Sequence, residues 1–239
     1  GLKSISLALK SGQIIGLAGV SGNGQESVAE VVGGLHKPNE GQLVLNGNTV
    51  MKWSPRDAVI SGIARIPEDR HKTGSIADFD LTENTILERY NTNTFSKGGW
   101  LNWQNSRAFA NHIIDKYDVR CPGADTPIRL LSGGNMQKLI LGRVLETDPQ
   151  IILANQPVRG LDIGAVNYVH SQLLAARDRG AAVLLISEDL DEIMALSDVI
   201  HVIFNGRLSP RFERGEMTPA QLGIWMGGQG FDGEVNHAT

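Results

Sequence analysis

The chain has 239 residues, enough for one large α/β domain with a substantial core. Its formal charge of −4 provides no electrostatic footprint for nucleic acid, and its single cysteine, Cys121, rules out an intrachain disulfide framework and fits a reducing compartment. No apolar run approaches the ~18–20 residues of a membrane span, nothing at the N-terminus resembles a secretion signal, and His36, His71, His112, His170, His201 and His237 show no metal-ligand spacing.

In chain order, Gly1 already lies within a strand-like pattern, as expected of a piece of a longer protein. Residues 14–18, Ile-Ile-Gly-Leu-Ala, predict a buried strand. It leads into Gly19, Val20, Ser21, Gly22, Asn23, Gly24, Gln25, Glu26 and Ser27, the frame of the phosphate-binding loop G-x-x-x-x-G-K-[ST] with its last two positions altered. Residues 42–50, with Asn46-Gly47 at their centre, predict a hairpin closed by an N-G turn. Ser54-Pro55 predicts a capped short helix running to Gly62, with proline at its first position. Residues 63–66 predict a strand that delivers Glu68-Asp69-Arg70 to a loop. From 71 to 144 the pattern turns helical and irregular. Cys121, before Pro122-Gly123, falls in a turn without a base partner, so no reactive thiol is expected.

The most informative stretch is Leu131-Ser132-Gly133-Gly134-Asn135-Met136-Gln137. Met136, Leu139, Ile140, Val144 and Leu145 recur at helical spacing, so a helix starts at the glycines. Two glycines let the backbone approach a ligand, and the first-turn N–H groups and positive helix end suit an anion. Ser132 supplies a hydroxyl there, as a cap or as a phosphate donor. Alone, this would be a Gly-rich turn before an ordinary helix. The neighbouring run changes that reading. Residues 151–154 form a short apolar strand ending in Asn155-Gln156-Pro157, followed by Val158-Arg159-Gly160-Leu161-Asp162. Beyond it a helix is expected over 165–179, a buried strand over 182–186, a helix over 190–196 and a strand over 199–204. Strands alternating with helices predict a mostly parallel sheet. Thr218-Pro219-Ala220-Gln221 has the form of a capping box opening a last helix to Met226, and 230–239 reads as a frayed tail.

The order of phosphate loop, LSGG, Asn-Gln-Pro strand end and G-L-D resembles that of an ABC transporter nucleotide-binding domain over essentially the whole chain. G-V-S-G-N-G-Q, I-P-E-D-R, L-S-G-G-N-M-Q-K, R-G-L-D-I-G-A and I-S-E-D-L-D-E-I resemble the second half of tandem importer ATPases for simple sugars or nucleosides. Asn155-Gln156-Pro157, and Asp118-Val119-Arg120 with Asp125-Thr126-Pro127, are similar to the nucleoside, or basic membrane protein, branch. The resemblance implies an α/β P-loop ATPase core over 1–70 and 145–210, with a mostly parallel sheet and a small antiparallel β part. It further implies a helical subdomain over 71–144 and a C-terminal helix and tail over 211–239. ATP and Mg²⁺ are the implied ligands. The implied partners are a fused N-terminal nucleotide-binding domain, transmembrane permease subunits and, indirectly, a solute-binding protein, placing the chain peripherally on the cytoplasmic face of the cell membrane without inserting into it.

On that resemblance, Gln25 stands at the family's P-loop lysine and Glu26 at its Mg²⁺-binding hydroxyl. Asn155 and Gln156 stand at the Walker B carboxylates, Glu188 at the switch histidine and Glu68 at the Q-loop glutamine. An amide cannot neutralise phosphate charge or serve as a base, so the chain's own site is expected to be hydrolytically dead or nearly so. The aromatic that stacks on adenine normally lies upstream of the P-loop, and the eighteen residues before Gly19 do not provide it. Ser132, Gly133, Gly134 and Asn135 are instead expected to complete a partner domain's site in trans, with Asp162 at the D-loop position and Glu68 in a coupling loop. A non-hydrolytic scaffolding module is the competing reading. A soluble ABC ATPase of DNA repair or translation is disfavoured by the acidic balance and the importer-like I-P-E-D-R. Phe95, Trp100, Leu101 and Trp103 read as core packing of the helical part, with docking on a membrane subunit as the alternative. Acids at 188–192 suit a helix N-terminus whatever their function.

Overall fold

The computed structural model describes residues 1–231. The chain begins with β1 (Ile14–Ala18), α1 (Gln25–Val32), β2 (Val44–Leu45), β3 (Asn48–Thr49), α2 (Pro55–Ile60) and β4 (Ile63–Ile66). There follow α3 (Leu81–Ile86), β5 (Ser96–Lys97), β6 (Trp100–Leu101), α4 (Trp103–Lys116) and α5 (Gly133–Leu145). The remainder comprises β7 (Ile151–Asn155), α6 (Ile163–Asp178), β8 (Ala182–Ser187), α7 (Leu190–Leu196), β9 (Val199–Phe204), β10 (Arg207–Leu208), β11 (Phe212–Glu213) and α8 (Pro219–Met226). Among the described residues these elements form two compact units, one of residues 1–65, 150–156 and 173–231, the other of residues 66–149 and 157–172.

The first unit is built on a sheet ordered β10-β9-β1-β8-β7-β4, with β11 also on β9. β1 runs parallel to both β8 and β9, and β7 parallel to β8. Every residue of β1 and β8 is buried, which explains why these strands read as continuous apolar runs rather than alternating ones. Ile15, Leu17, Val28, Leu153, Leu184, Ile186, Val199 and Ile203 form one core cluster. The expected hairpin is present as β2 and β3, and its Asn46-Gly47 turn has positive φ at both positions, the primed geometry that the dipeptide favours. α2 starts where Ser54-Pro55 predicts, with the Ser54 hydroxyl accepting from the Asp57 N–H. α8 opens with the Thr218–Gln221 capping box.

Two expectations at the ends of this unit are corrected. Residues 1–13 form no strand, and Ser4 among them is left-handed at φ 50°. Leu2, Ile5, Leu7 and Leu9 still pack on the core cluster, which is the origin of the strand-like pattern. The expected tail also starts too early. Phe231 is buried among Phe204, Trp225 and the Arg207 guanidinium, and its carbonyl accepts from Arg207. The rest of that segment, 232–239, lies outside the described residues.

The second unit contains α3, α4 and α5, and the expected helical segment 71–144 falls inside it. Met136, Leu139, Ile140, Val144 and Leu145 are all buried, so the apolar spacing of α5 marks its core face. Arg143, on the same helix, donates to the Asn84 and Gly74 carbonyls and fixes the loop before α3. The aromatic expectation divides. Phe95 is buried against Phe109 and Arg89. Trp100, however, is 83% exposed and Trp103 51% exposed; among the described residues β5 and β6 pair only with each other, so no further strand covers Trp100.

Candidate functional site

In the first unit the glycine-rich loop runs from the buried end of β1 to α1. A Cβ on Gly19 would lie 2.6 Å from the Gln25 Nε2 and 2.8 Å from the Ile203 carbonyl, so only glycine fits. Gly24 caps α1 with φ 119° and no side-chain bond. Three donors converge on the Val20 carbonyl: the Asn23 N–H at 3.3 Å, the Asn23 Nδ2 at 2.9 Å and the Gln25 Nε2 at 2.8 Å. Gln25 is buried, and its Oε1 has no hydrogen-bond partner among the described residues. Asn23 further accepts from the Asn205 and Gly206 N–H groups of the β9–β10 turn. Ser21, Gly22 and Glu26 are exposed, and Ser27 is half-buried.

Also within this unit, Asn155 ends β7, and Gln156 follows it in the left-handed region at φ 49°. The Gln156 N–H donates to the Ile186 carbonyl, and its Oε1 accepts weakly, at 3.5 Å, from the Glu188 N–H. Gln156 and the exposed Glu188 are therefore brought together.

In the second unit Ser132 caps α5. Its hydroxyl oxygen accepts from the Asn135 Nδ2 at 2.9 Å and, more weakly, from the Asn135 N–H at 3.5 Å. The Asn135 Oδ1 accepts from the Arg120 N–H at 2.9 Å, so Asn135 bridges the serine to the preceding loop. Gln137, fully buried one turn in, donates to the Pro157 carbonyl at 2.7 Å. The N–H groups of Gly133 and Gly134 are among those an α-helix leaves without an internal partner. A Cβ on Gly134 would meet the Ala165 methyl at 3.3 Å and the Asp162 Oδ2 at 3.7 Å. Asp162 itself caps α6, accepting from the Ala165 N–H at 3.0 Å.

The Glu68-Asp69-Arg70 loop belongs to the same unit. The Asp69 carboxylate accepts from the Lys72 and His71 N–H groups, and its carbonyl accepts from Thr73 and Gly74. The Lys72 N–H, more than any other group, holds the Asp69 pKa below the usual carboxylate value. Glu68 forms an ion pair with Arg159. Arg70 donates through Nη1 to the Arg159 carbonyl at 2.9 Å, and its Nη2 lies 3.3 Å from where a Gly133 Cβ would be and 3.5 Å from that of Gly160.

Residues 2–159 match the sequence profile of the ABC transporter family. The chain belongs to that family. Guanosine import ATP-binding protein NupO of Bacillus subtilis is 45% identical over 227 residues, which cover 95% of this chain and 44% of NupO. Glucose import ATP-binding protein TsgD13 of Haloferax volcanii is 37% identical over 231 residues, covering 96% of this chain and 42% of that protein. The chain thus spans under half the length of these curated relatives. A nucleotide-free ATP-binding cassette from an ABC transporter superposes with a TM-score of 0.75 at 21% identity, covering 94% of this chain and 92% of that one, which shows the shared fold.

Within this ABC domain the two glycine-rich helix starts differ in what surrounds them. The P-loop contains an amide at 25 and a carboxylate at 26, and neither brings positive charge to an anion. The signature helix start has Arg70 beside it and a serine held by Asn135. Three of these partnerships escaped the sequence: Asn135 with Arg120, Gln137 with Pro157, and Arg70 with Arg159. The only signal available was the opposite charge of Glu68 and Arg159 in two separately recognised motifs. No helix of the described residues is long and apolar enough to cross a membrane.

Proposed function

We propose that this chain is the ATP-binding domain of an importer for nucleosides or simple sugars, and that it works by presenting Ser132, Gly133 and Gly134 to ATP held on the P-loop of a second ABC domain. The observation that carries the reading is the contrast between the loops. The signature turn is braced by its own Asn135, which ties Ser132 to Arg120 of the preceding loop, and it leaves its first N–H groups for an anion. The P-loop instead engages Gln25, at its lysine position, with its own Val20 carbonyl.

The P-loop residues do not fit Mg-ATP as a hydrolytic pair. Glu26 adds negative charge in the first turn of α1, where phosphate would lie. Asn155 and Gln156 offer amide groups in place of a metal carboxylate and a base. Glu188 has no imidazole with which to sense a γ-phosphate. On this reading the domain's own Gly19 to Ser27 loop is catalytically silent, and any ATP or Mg²⁺ there is held weakly.

The nucleoside class is supported by Asn155-Gln156-Pro157 and by the higher identity to a guanosine importer component than to a glucose one. The length of the relatives supports a fused N-terminal nucleotide-binding domain as the partner that provides the competent P-loop. Transmembrane permease subunits, with a solute-binding protein delivering to them, complete the assembly on the cytoplasmic face of the membrane. Asp162, beside Gly134, is assigned the D-loop role, and Glu68 the coupling loop.

The deciding experiment is ATP turnover of the assembled transporter, wild type against Gly134→Asp. A carboxylate here repels the γ-phosphate and meets Ala165, so turnover is expected to fall on the order of a hundredfold or more while assembly persists. Unchanged turnover overturns the in-trans reading and leaves the scaffolding one.

A further inference from the structure

We propose that Arg70 is a positioning residue that holds the signature helix start and the Arg159–Asp162 segment in one arrangement, so that the Glu68-Asp69-Arg70 loop sets the geometry of the trans site. The proposal rests on the in-trans reading above.

The loop is rigid at its base. Asp69 accepts two backbone N–H groups through its carboxylate, and the Thr73 hydroxyl and N–H and the Gly74 N–H bond its carbonyl. The Ser75 hydroxyl donates to the Arg70 carbonyl at 2.7 Å. Gly74 is required there, since its Cβ would lie 2.8 Å from the Arg70 Cα. The guanidinium therefore leaves a backbone that is fixed on both sides.

It reaches two elements distant in sequence. Nη1 bonds the Arg159 carbonyl, while Nη2 sits beside both Gly133 and Gly160. Gly160 is left-handed at φ 69°, so the chain turns sharply where Arg70 holds it. Two residues on, Asp162 caps α6 and lies beside Gly134. The Glu68–Arg159 ion pair closes the connection from the other side. Two motifs that read independently in the sequence, E-D-R and R-G-L-D, are thus reciprocal: each provides the other with a cation. Arg70 bonds the Arg159 carbonyl through Nη1 while Nη2 of the same planar group lies beside Gly133 and Gly160, a span of two nitrogens that a lysine cannot reproduce.

The test uses the assembled transporter, with kcat and KM for ATP measured for Arg70→Gln, Arg70→Lys, Glu68→Arg and the double reversal Glu68→Arg/Arg159→Glu. Displacing positioned groups by about an ångström costs on the order of tenfold to a hundredfold. Arg70→Gln and Arg70→Lys are expected to lose kcat by that factor while KM for ATP stays within about twofold, because nucleotide is held by the partner's P-loop. Glu68→Arg is expected to lose activity, and the double reversal to recover most of it. Full activity in both Arg70 variants, alongside a collapsed Gly134→Asp, overturns the positioning role and leaves the in-trans reading intact. An unaffected Gly134→Asp removes that reading and this proposal together. If the Arg70 variants lose their thermal transition, the reversal pair decides: recovery supports the clamp, and no recovery overturns it.

Discussion

The domain builds a glycine-rich turn into a helix twice, once at Gly19–Gln25 and once at Ser132–Asn135, and the two differ in where the polar side chains go. At the signature, Asn135 reaches backward, binding the Ser132 hydroxyl on one side and the Arg120 N–H on the other. The turn is supported from behind, and its leading N–H groups stay at the end of a 13-residue helix. At the P-loop, Asn23 and Gln25 both turn inward to the Val20 carbonyl. A loop whose own side chains satisfy it keeps its shape without a ligand. Glycines preserve the backbone path in either case, so glycine spacing alone does not predict which way the polar side chains turn.

The strongest way to break this contrast is to make the same change in both loops. Gly134→Asp is expected to cost the assembled transporter on the order of a hundredfold in turnover. Gly22→Asp, in open space at φ 87°, is expected to cost less than about twofold beyond a local strain of roughly 1 kcal/mol. Equal losses from the two variants would erase the distinction. A related measurement is calorimetric titration of the chain with Mg-ATP. The expected dissociation constant is about 100 μM or weaker, and a submicromolar constant accompanied by turnover refutes the silent P-loop. Gln25→Lys sharpens the same point. It buries an ammonium beside the Val20 carbonyl in place of an amide, so the variant should melt several degrees below wild type and regain stability when Mg-ATP is added. No response to Mg-ATP means that the loop has lost more than its lysine.

A smaller effect is expected at Asn135. Asn135→Ala removes the bridge between Ser132 and Arg120 and should cost roughly 1 kcal/mol in unfolding free energy. Turnover of the assembly should fall with it, by less than in Gly134→Asp. Stability loss without any change in turnover assigns Asn135 to the fold alone.

Much of the fold was legible because its signals are local. The apolar runs of β1 and β8, the Asn46-Gly47 turn, the Ser54-Pro55 start and the Thr218–Gln221 box each involve residues within a few positions of one another. What failed depended on contacts made at a distance. Trp100 has the composition of a core residue, yet among the described residues no further strand pairs with its ribbon. Phe231 looks like tail, yet Phe204, Trp225 and Arg207 enclose it. The site divides in the same way. The Ser132 cap on Asn135 is local to its motif, whereas Arg70 needed its partner Arg159, eighty-nine positions away, before it meant anything.

The signature helix is also anchored at its far end, and that anchor is sensitive to acid. Glu146 ends α5, where the helix dipole disfavours a carboxylate. Burial raises its pKa, but hydrogen bonds from Lys116, Tyr117 and His112 outweigh that effect and hold it below 4.5. A carboxylate depressed on folding stabilises the native state above its unfolded pKa, and this contribution disappears as pH falls through the folded value. Glu146→Gln should therefore lower stability by roughly 1 kcal/mol at neutral pH. The gap from wild type should stay flat down to about pH 4.5 and close below it. Because the three donors bind α4 to the end of α5, the change should appear as faster amide exchange in α4 and the last turn of α5. Exchange around Val20 should be unaffected, since that loop is held by neutral amides alone. An equal acid response around Val20 would mean that the exchange change does not come from the Glu146 brace.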